Sequence, residues 1–478
     1  MLIFLGAALV RAESPATAPA APPTVGEGLG VDIDSTDPQP GEIEMIRDAG
    51  VRWIRTDLTW ATAEKNRGIY DFSPYGRLAD ALDKAGVRAV FTLTGCNPLY
   101  DNNAAPGSPE ARKAFADFAA AAVGHFKDRG YLWEIWNEPN RPRDRAAGDF
   151  YPTLAYAVAS ALHAKYPAER FIGPATVGVD RKFIESCRAA KLFDYWAGLS
   201  VHPFRQTVPE TAEGEYLQLR QSLPPADPPA ILCTAWGYST AWPGLTEQRQ
   251  AELVARELLT NVSQGIGLSI WHGWRDSGDD ASNAEHRFGL VRRSFRDGQT
   301  PPFEAKPAYL ALRTLGDQLG DMIFDRRLWV GSPRDYVLLF RSRDGKSIKL
   351  AAWTAGPQST VTIPAADGAF VATSLAGDAL PDVVARSGSL SIALSGGVEY
   401  LSPRDPNSML LAALAEPRLP RETLVRAPAD VTLGGQTLHL KPADPPRLIV
   451  STSTLGYQQA SVVAVTDPPM PATAPSQH

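Results

Sequence analysis

From residue 29 to about residue 320 the chain repeats one pattern eight times: a short apolar run, then a segment with helical spacing of apolar residues. The apolar runs lie at 30–34, 51–57, 87–94, 131–137, 171–174, 198–202, 230–234 and 267–271. Most are apolar on both faces, as a parallel strand covered by helices requires. Helices fit near 42–49, 74–85, 150–165, 180–190, 211–222, 246–263 and 305–319. Another starts at Ser108-Pro109-Glu110, a cap residue, a proline at the first helical position and an acid in the first turn. Eight strand–helix units are too many for most doubly wound sheets, the runner-up, and no phosphate-binding glycine loop follows the first strand. The pattern predicts an α/β fold, a closed (β/α)8 TIM barrel over residues 29–320.

After residue 320 the period changes. Short strand-like runs near 337–340, 347–353, 360–363 and 389–394, with Asp344-Gly345 as a hairpin turn, predict a small antiparallel β-sandwich over 321–402. Residues 403–465 hold further strand-like stretches, which either complete that sandwich or form a separate module. At the start, the apolar run in residues 1–12 ends on Val10 and Ala12, small residues that suit a signal-peptidase cut, but no basic segment precedes it. The expectation is a secreted or periplasmic protein; the alternative is a plain apolar N-terminus. Residues 13–28 read as a linker and 466–478 as a disordered tail. No run is long enough for a membrane span.

Composition narrows the partners. There are 47 Lys+Arg against 53 Asp+Glu, for a net charge of −6, and no basic block, which argues against nucleic acid or an anionic membrane. Cys96, Cys187 and Cys233 make no disulfide framework and no zinc spacing. His125, His163 and His286 are scattered, so no metal and no organic cofactor is expected. The sequon at Asn261 falls in an expected helix, which makes it a weak glycosylation signal.

Barrel chemistry sits at the C-terminal ends of the strands. Those ends carry Arg55, Asp57 and Trp60; Asn97 and Tyr100; Trp136, Asn137 and Glu138; His202 and Phe204; Ala235, Trp236 and Tyr238; and Trp271, His272, Gly273, Trp274, Arg275 and Asp276. Five of the 11 tryptophans (60, 136, 236, 271 and 274) belong to this set. Aromatic faces stack on the apolar faces of sugars, while amides and carboxylates take the hydroxyls, so the set suits a carbohydrate cleft; core packing is the competing reading. In the run 133–140 (WEIWNEPN), strand alternation puts Glu134 and Glu138 on one face. Beside aromatic walls Glu138 is expected to keep its proton toward neutral pH and to serve as a general acid.

The WEIWNEPN run, with SVHPF after the sixth strand and TAWGYST at the seventh, resembles the retaining glycoside hydrolases of clan A, in particular the family thirty-nine and family five type (β-xylosidase- or cellulase-like). The resemblance covers residues 29–320. It implies that Glu138 is the acid/base and that Asn137 binds the sugar 2-hydroxyl. It also implies that Arg55 and His202 orient carboxylates and that Trp271 is a sugar platform; Asp57, Trp60, Trp236 and Tyr238, by their places at the strand ends, are further candidate substrate-binding residues.

Retaining hydrolysis needs a second carboxylate, a nucleophile about 5–5.5 Å from the acid. The family carries it where this chain has Ala235, and a methyl group cannot attack an anomeric carbon. A single introduced Glu→Ala change and a natural loss both give this sequence. Phe204, where the family often has tyrosine, and Gly273, where related sequences often have aspartate, favour loss of a whole cluster. Asp57, Asp276 and Glu285 are candidates for a substitute base in an inverting reaction. Two functions therefore stand side by side: a hydrolase of β-linked oligo- or polysaccharides in its carboxylate-bearing form, and a non-catalytic carbohydrate-binding pseudoenzyme. A structural role for the C-terminal β region, with the barrel only a scaffold, is a third.

Overall fold

In the computed structural model the described residues are 22–141, 150–224, 228–412, 429–433, 436–440, 447–454 and 457–464. The signal-like run, the first part of the expected linker and the tail 466–478 lie outside them.

Eight parallel strands close into a barrel: β1 (Leu29–Asp32), β2 (Trp53–Thr59), β3 (Arg88–Thr94), β4 (Leu132–Ile135), β5 (Arg170–Val177), β6 (Trp196–His202), β7 (Ile231–Trp236) and β8 (Ser269–Trp271). Closure is by β1, which pairs with β8 through Leu29↔Ser269 and with β2 through Gly30↔Trp53. Eight helices follow the strands in turn: α1 (Glu42–Asp48), α2 (Ser73–Ala85), α3 (Pro109–Phe126), α4 (Phe150–Lys165), α5 (Arg181–Ala189), α6 (Ala212–Ser222), α7 (Glu247–Ser263) and α8 (Pro307–Leu319). The start of α3 is capped as its sequence requires, Ser108 Oγ accepting from the Ala111 amide at 3.0 Å.

Strand alternation builds the barrel in layers. Trp53, Val90, Leu132, Ile172, Leu232, Leu268 and Ile270 pack together as one closed apolar cluster. Gly30 leaves room for it, since a Cβ there would lie 2.2 Å from Ile270 Cδ1. Two residues further along their strands come Arg55, Thr92, Glu134 and Thr234, a polar layer near the C-terminal ends. The intervening residues, such as Ile54, Phe91, Trp133 and Val201, face the helices and join the main core.

The antiparallel region comprises β9 (Met322–Arg327), β10 (Asp335–Ser342), β11 (Ile348–Thr354), β12 (Ser359–Pro364), β13 (Gly368–Thr373), β14 (Ala379–Ala385), β15 (Ser389–Leu394) and β16 (Glu399–Pro403). Six of these form one sheet in the order β9-β10-β11-β16-β13-β14, and β12 pairs with β15. Leu339, Leu350, Val361, Ile392 and Leu401 share its core. A buried ion pair ties this region to the barrel. Glu210, between β6 and α6, takes Arg256 of α7 at 2.7 and 2.8 Å and the Trp353 indole of β11 at 2.7 Å.

The described strands after residue 415 fall in a second compact unit. There Ala429–Leu433 pairs with Gln436–Leu440, and Arg447–Thr454 with Tyr457–Ala464, both antiparallel.

Candidate active site

The strand ends surround a cleft of about 750 Å3. Its walls include Asp32, Asp34, Arg55, Asp57, Asn137, Glu138, Arg141, His202, Phe204, Ala235, Trp242, His272, Glu285 and Phe288.

Glu134 anchors the cleft floor. Its Oε2 accepts from Arg55 Nε at 2.8 Å and from Thr92 Oγ1 at 3.0 Å, and its Oε1 accepts from Thr234 Oγ1 at 2.7 Å. Burial would raise its pKa, but the Arg55 charge, the His202 charge and the bonds from Thr234 and Ser200 hold it below the usual carboxylate range. Arg55 also donates through Nη2 to Asn137 Oδ1 at 2.8 Å, fixing that amide at the cleft.

Glu138 lies three residues beyond the strand. The strand ends at Ile135, and positive φ angles at Trp136 (67°) and Glu138 (51°) replace the expected alternation. Its carboxylate nevertheless joins the same network. His202 Nδ1 is 3.0 Å from Glu138 Oε1, and His202 Nε2 is 3.0 Å from Thr234 Oγ1. Arg141 pairs with the other oxygen. The sequence led us to expect a raised pKa. Burial does push that way, but the hydrogen bond and charge of His202, then the charges of Arg141 and Arg55, outweigh it and lower the Glu138 pKa.

Ala235 lies at the end of β7 on the same cleft, its methyl all but buried. The neighbouring strand end supplies His272, whose Nδ1 is 3.0 Å from Asp32 Oδ2. Burial disfavours the imidazolium, yet Asp32 and Glu285 push its pKa up to about 9. Asp57 stands half-exposed on the wall, with Arg55 Nη1 4.0 Å away. Desolvation by the surrounding protein, against the pull of Arg55 and with the charges of Asp32, Glu134 and Asp34 added, pushes its pKa up to about 6.

The expected aromatic rim is not there. Trp60, Trp236, Tyr238 and Trp271 are fully buried and none lines the cleft. The Trp60 indole donates to Glu64 Oε2 at 2.5 Å, the Tyr238 hydroxyl to the Thr207 carbonyl at 2.8 Å, and the Trp271 indole to the Phe288 carbonyl at 3.1 Å. Trp136 and Trp274 are buried as well. Their large apolar area drives them under the loops, where it stabilises the barrel top. Asn97 and Tyr100 bond to Glu64 beneath the surface, and Asp276 is buried with Lys306 at 3.1 Å, so it is no candidate base. The Asn261 side chain is buried and accepts from the Tyr216 hydroxyl at 2.9 Å, out of reach of glycosylation.

Sequence reasoning missed Asp32 and Asp34, although they end the first strand as Arg55 and Asp57 end the second. It missed Thr234 and Arg141 as partners of the two glutamates. Nothing in the periodicity marks Trp242 or Phe288, which lie in long loops.

No family model matches the chain. A curated relative, β-glucosidase 47 of Arabidopsis thaliana, is 30% identical over 120 residues, which are 23% of this chain and 22% of that protein. Among solved structures, a family 39 glycoside hydrolase from Bacteroides cellulosilyticus WH2 is 23% identical, covers 80% of this chain and 82% of its own, and has a TM-score of 0.68. A family 39 β-xylosidase from Caulobacter crescentus is 16% identical over 80% of this chain and 98% of its own, at a TM-score of 0.57. A glucosidase from Croceicoccus marinus is 14% identical over 81% and 97%, at 0.58. The chain therefore has a glycoside hydrolase fold, a (β/α)8 barrel with a trailing antiparallel β region.

Proposed function

We propose that this cleft engages a β-linked oligo- or polysaccharide and that, with alanine at position 235, it binds the glycan without cleaving it by double displacement. The observation that carries this reading is the joint placement of Glu138 and Ala235 on one cleft at the ends of β4 and β7. Glu138 occupies the acid/base place, with Asn137 beside it for a sugar hydroxyl. Arg55, His202 and Thr234 hold the two glutamates in register. The position that should attack the anomeric carbon offers a methyl group. With a carboxylate there, the same arrangement supports retaining hydrolysis: attack at the anomeric carbon, protonation of the leaving oxygen by Glu138, then release by water activated by Glu138.

The test is to restore the carboxylate. Ala235→Glu should gain activity on aryl β-glycosides with retention, and adding Glu138→Ala should remove it. The unchanged chain should bind β-linked oligosaccharides in calorimetry and release no product. Cleavage by the unchanged chain with inversion would favour a second reading, in which Asp57 or Glu285, both on the cleft with Glu138, activates water. Binding of no glycan would overturn the proposal.

A further inference from the structure

We infer that Trp242, continued by Phe288 and Phe204, is the platform against which a sugar ring of the ligand stacks; this rests on the glycan reading above. Of the 11 tryptophans, nine are buried, and Trp329 sits beyond β9 on the sandwich. Trp242 alone among them lines the cleft, with its ring half-buried.

The ring is held in place before any ligand arrives. Its centroid lies 5.5 Å from Phe288 at 87° and 6.0 Å from Tyr238 at 80°, edge contacts on two neighbours. Tyr238 is itself buried and bonded to the Thr207 carbonyl. The turn that carries the tryptophan is pinned as well. The Trp242 amide donates to the Ser239 carbonyl at 3.0 Å, and the Ser239 hydroxyl donates to the Ala284 carbonyl at 2.7 Å. A half-exposed aromatic fixed in this way loses little conformational entropy when a ligand stacks on it.

The apolar surface continues inward from Trp242. Phe288 meets His272 at 4.9 Å, and Phe204 meets His272 at 5.4 Å and Phe288 at 6.0 Å. The Ala235 methyl joins the same lining. The two positions that a hydrolase of this kind would fill with a carboxylate and a hydroxyl, 235 and 204, thus extend an apolar arc. Another arc of the rim, from β1 and β2 and the turns after them, is polar: Asp34, Thr36, Asp57, Thr59 and Thr62. A pyranose has the matching two-sided character, with axial C–H bonds on its faces and hydroxyls around its edge.

The experiment uses the full chain with Trp242→Ala and Trp242→Phe, titrated calorimetrically with xylohexaose, cellohexaose and mannohexaose. For whichever of these the unchanged chain binds, Trp242→Ala should weaken affinity by about tenfold or more, and Trp242→Phe should restore most of it. The ligand-induced change in tryptophan emission should vanish in both variants. Thermal melting separates loss of binding from loss of fold, and the Phe variant keeps the test open should the Ala variant unfold. Unchanged affinity in Trp242→Ala, or an emission change that persists without Trp242, would overturn the platform and leave the glycan reading standing. Failure of the unchanged chain to bind any of the three would overturn both.

Discussion

His202 Nδ1 lies 3.0 Å from Glu138 Oε1, and this contact decides the charge of the cleft's central carboxyl group. Thr234 has one hydroxyl proton, and at 2.7 Å the Glu134 carboxylate takes it. His202 Nε2 then donates to Thr234, and Nδ1 faces the Glu138 carboxylate. The lowered pKa of Glu138 puts the carboxylate in its anionic form. Replacing His202 with alanine removes the hydrogen bond and charge that oppose burial. The Glu138 pKa should then rise, as read from carboxyl infrared bands or from 13C-labelled glutamate titrated between pH 3 and 8. No upward movement would show that burial is not the opposing force.

Introducing a carboxylate at position 235 should act on Glu138 as well. A second negative charge on the same cleft disfavours ionisation of the first. Ala235→Glu should therefore raise the Glu138 pKa and open an acid-limb window for activity. The new side chain would meet the Phe204 ring in place of a hydroxyl partner. Phe204→Tyr added to Ala235→Glu should increase kcat over the single variant, and Phe204→Tyr alone should give none.

The His272–Asp32 contact at 3.0 Å ties stability to alkaline pH. The folded imidazole, at about 9, holds its proton above its usual value of 6.5. Between those values the folded protein binds more protons than the unfolded chain, so stability falls as pH rises from about 6.5 to 9. The stabilisation present below pH 6.5 is on the order of 3 kcal/mol. His272→Ala should flatten that slope in denaturant titrations across pH 6–9. A slope unchanged by the substitution would assign the effect to other groups.

Glu210→Gln should destabilise barrel and sandwich together. It would leave the Arg256 guanidinium, 1% exposed, without its counter-ion and weaken the anchor of Trp353. Breaking a buried pair from one side costs about 3–5 kcal/mol. Far-ultraviolet dichroism and Trp353-sensitive near-ultraviolet dichroism should lose signal in one shifted transition; two separated transitions would show that the ion pair does not couple the layers.

Much of this molecule is legible in the chain. Apolar runs alternating with helical spacing are a local property of sequence, and they dictate strands, helices and a parallel barrel. Because inward residues alternate along a strand, Trp53, Arg55 and Asp57 announce three successive levels of the interior. Glu138 and Ala235 are placed by counting to the ends of β4 and β7, and it is the resemblance of the surrounding motifs to clan A glycoside hydrolases that singles out alanine at position 235.

The aromatics were read less well, because a tryptophan at a strand end serves equally under a loop or over a cleft. Trp60, Trp236 and Trp271 turn inward because burying their area stabilises the fold, while Trp242, in a loop with no periodicity to mark it, lines the cleft. Charge was misread for a related reason. Burial alone argues for a protonated Glu138, but a pKa is set by every neighbour within a few ångströms, and His202 and Arg55 come from other strands while Arg141 returns from three residues on. The sequence by itself determined the barrel and the strand ends, both fixed by local spacing. Only the tertiary structure decided which aromatics line the cleft and which charges surround Glu138, since both depend on side chains that folding brings together from different strands and loops.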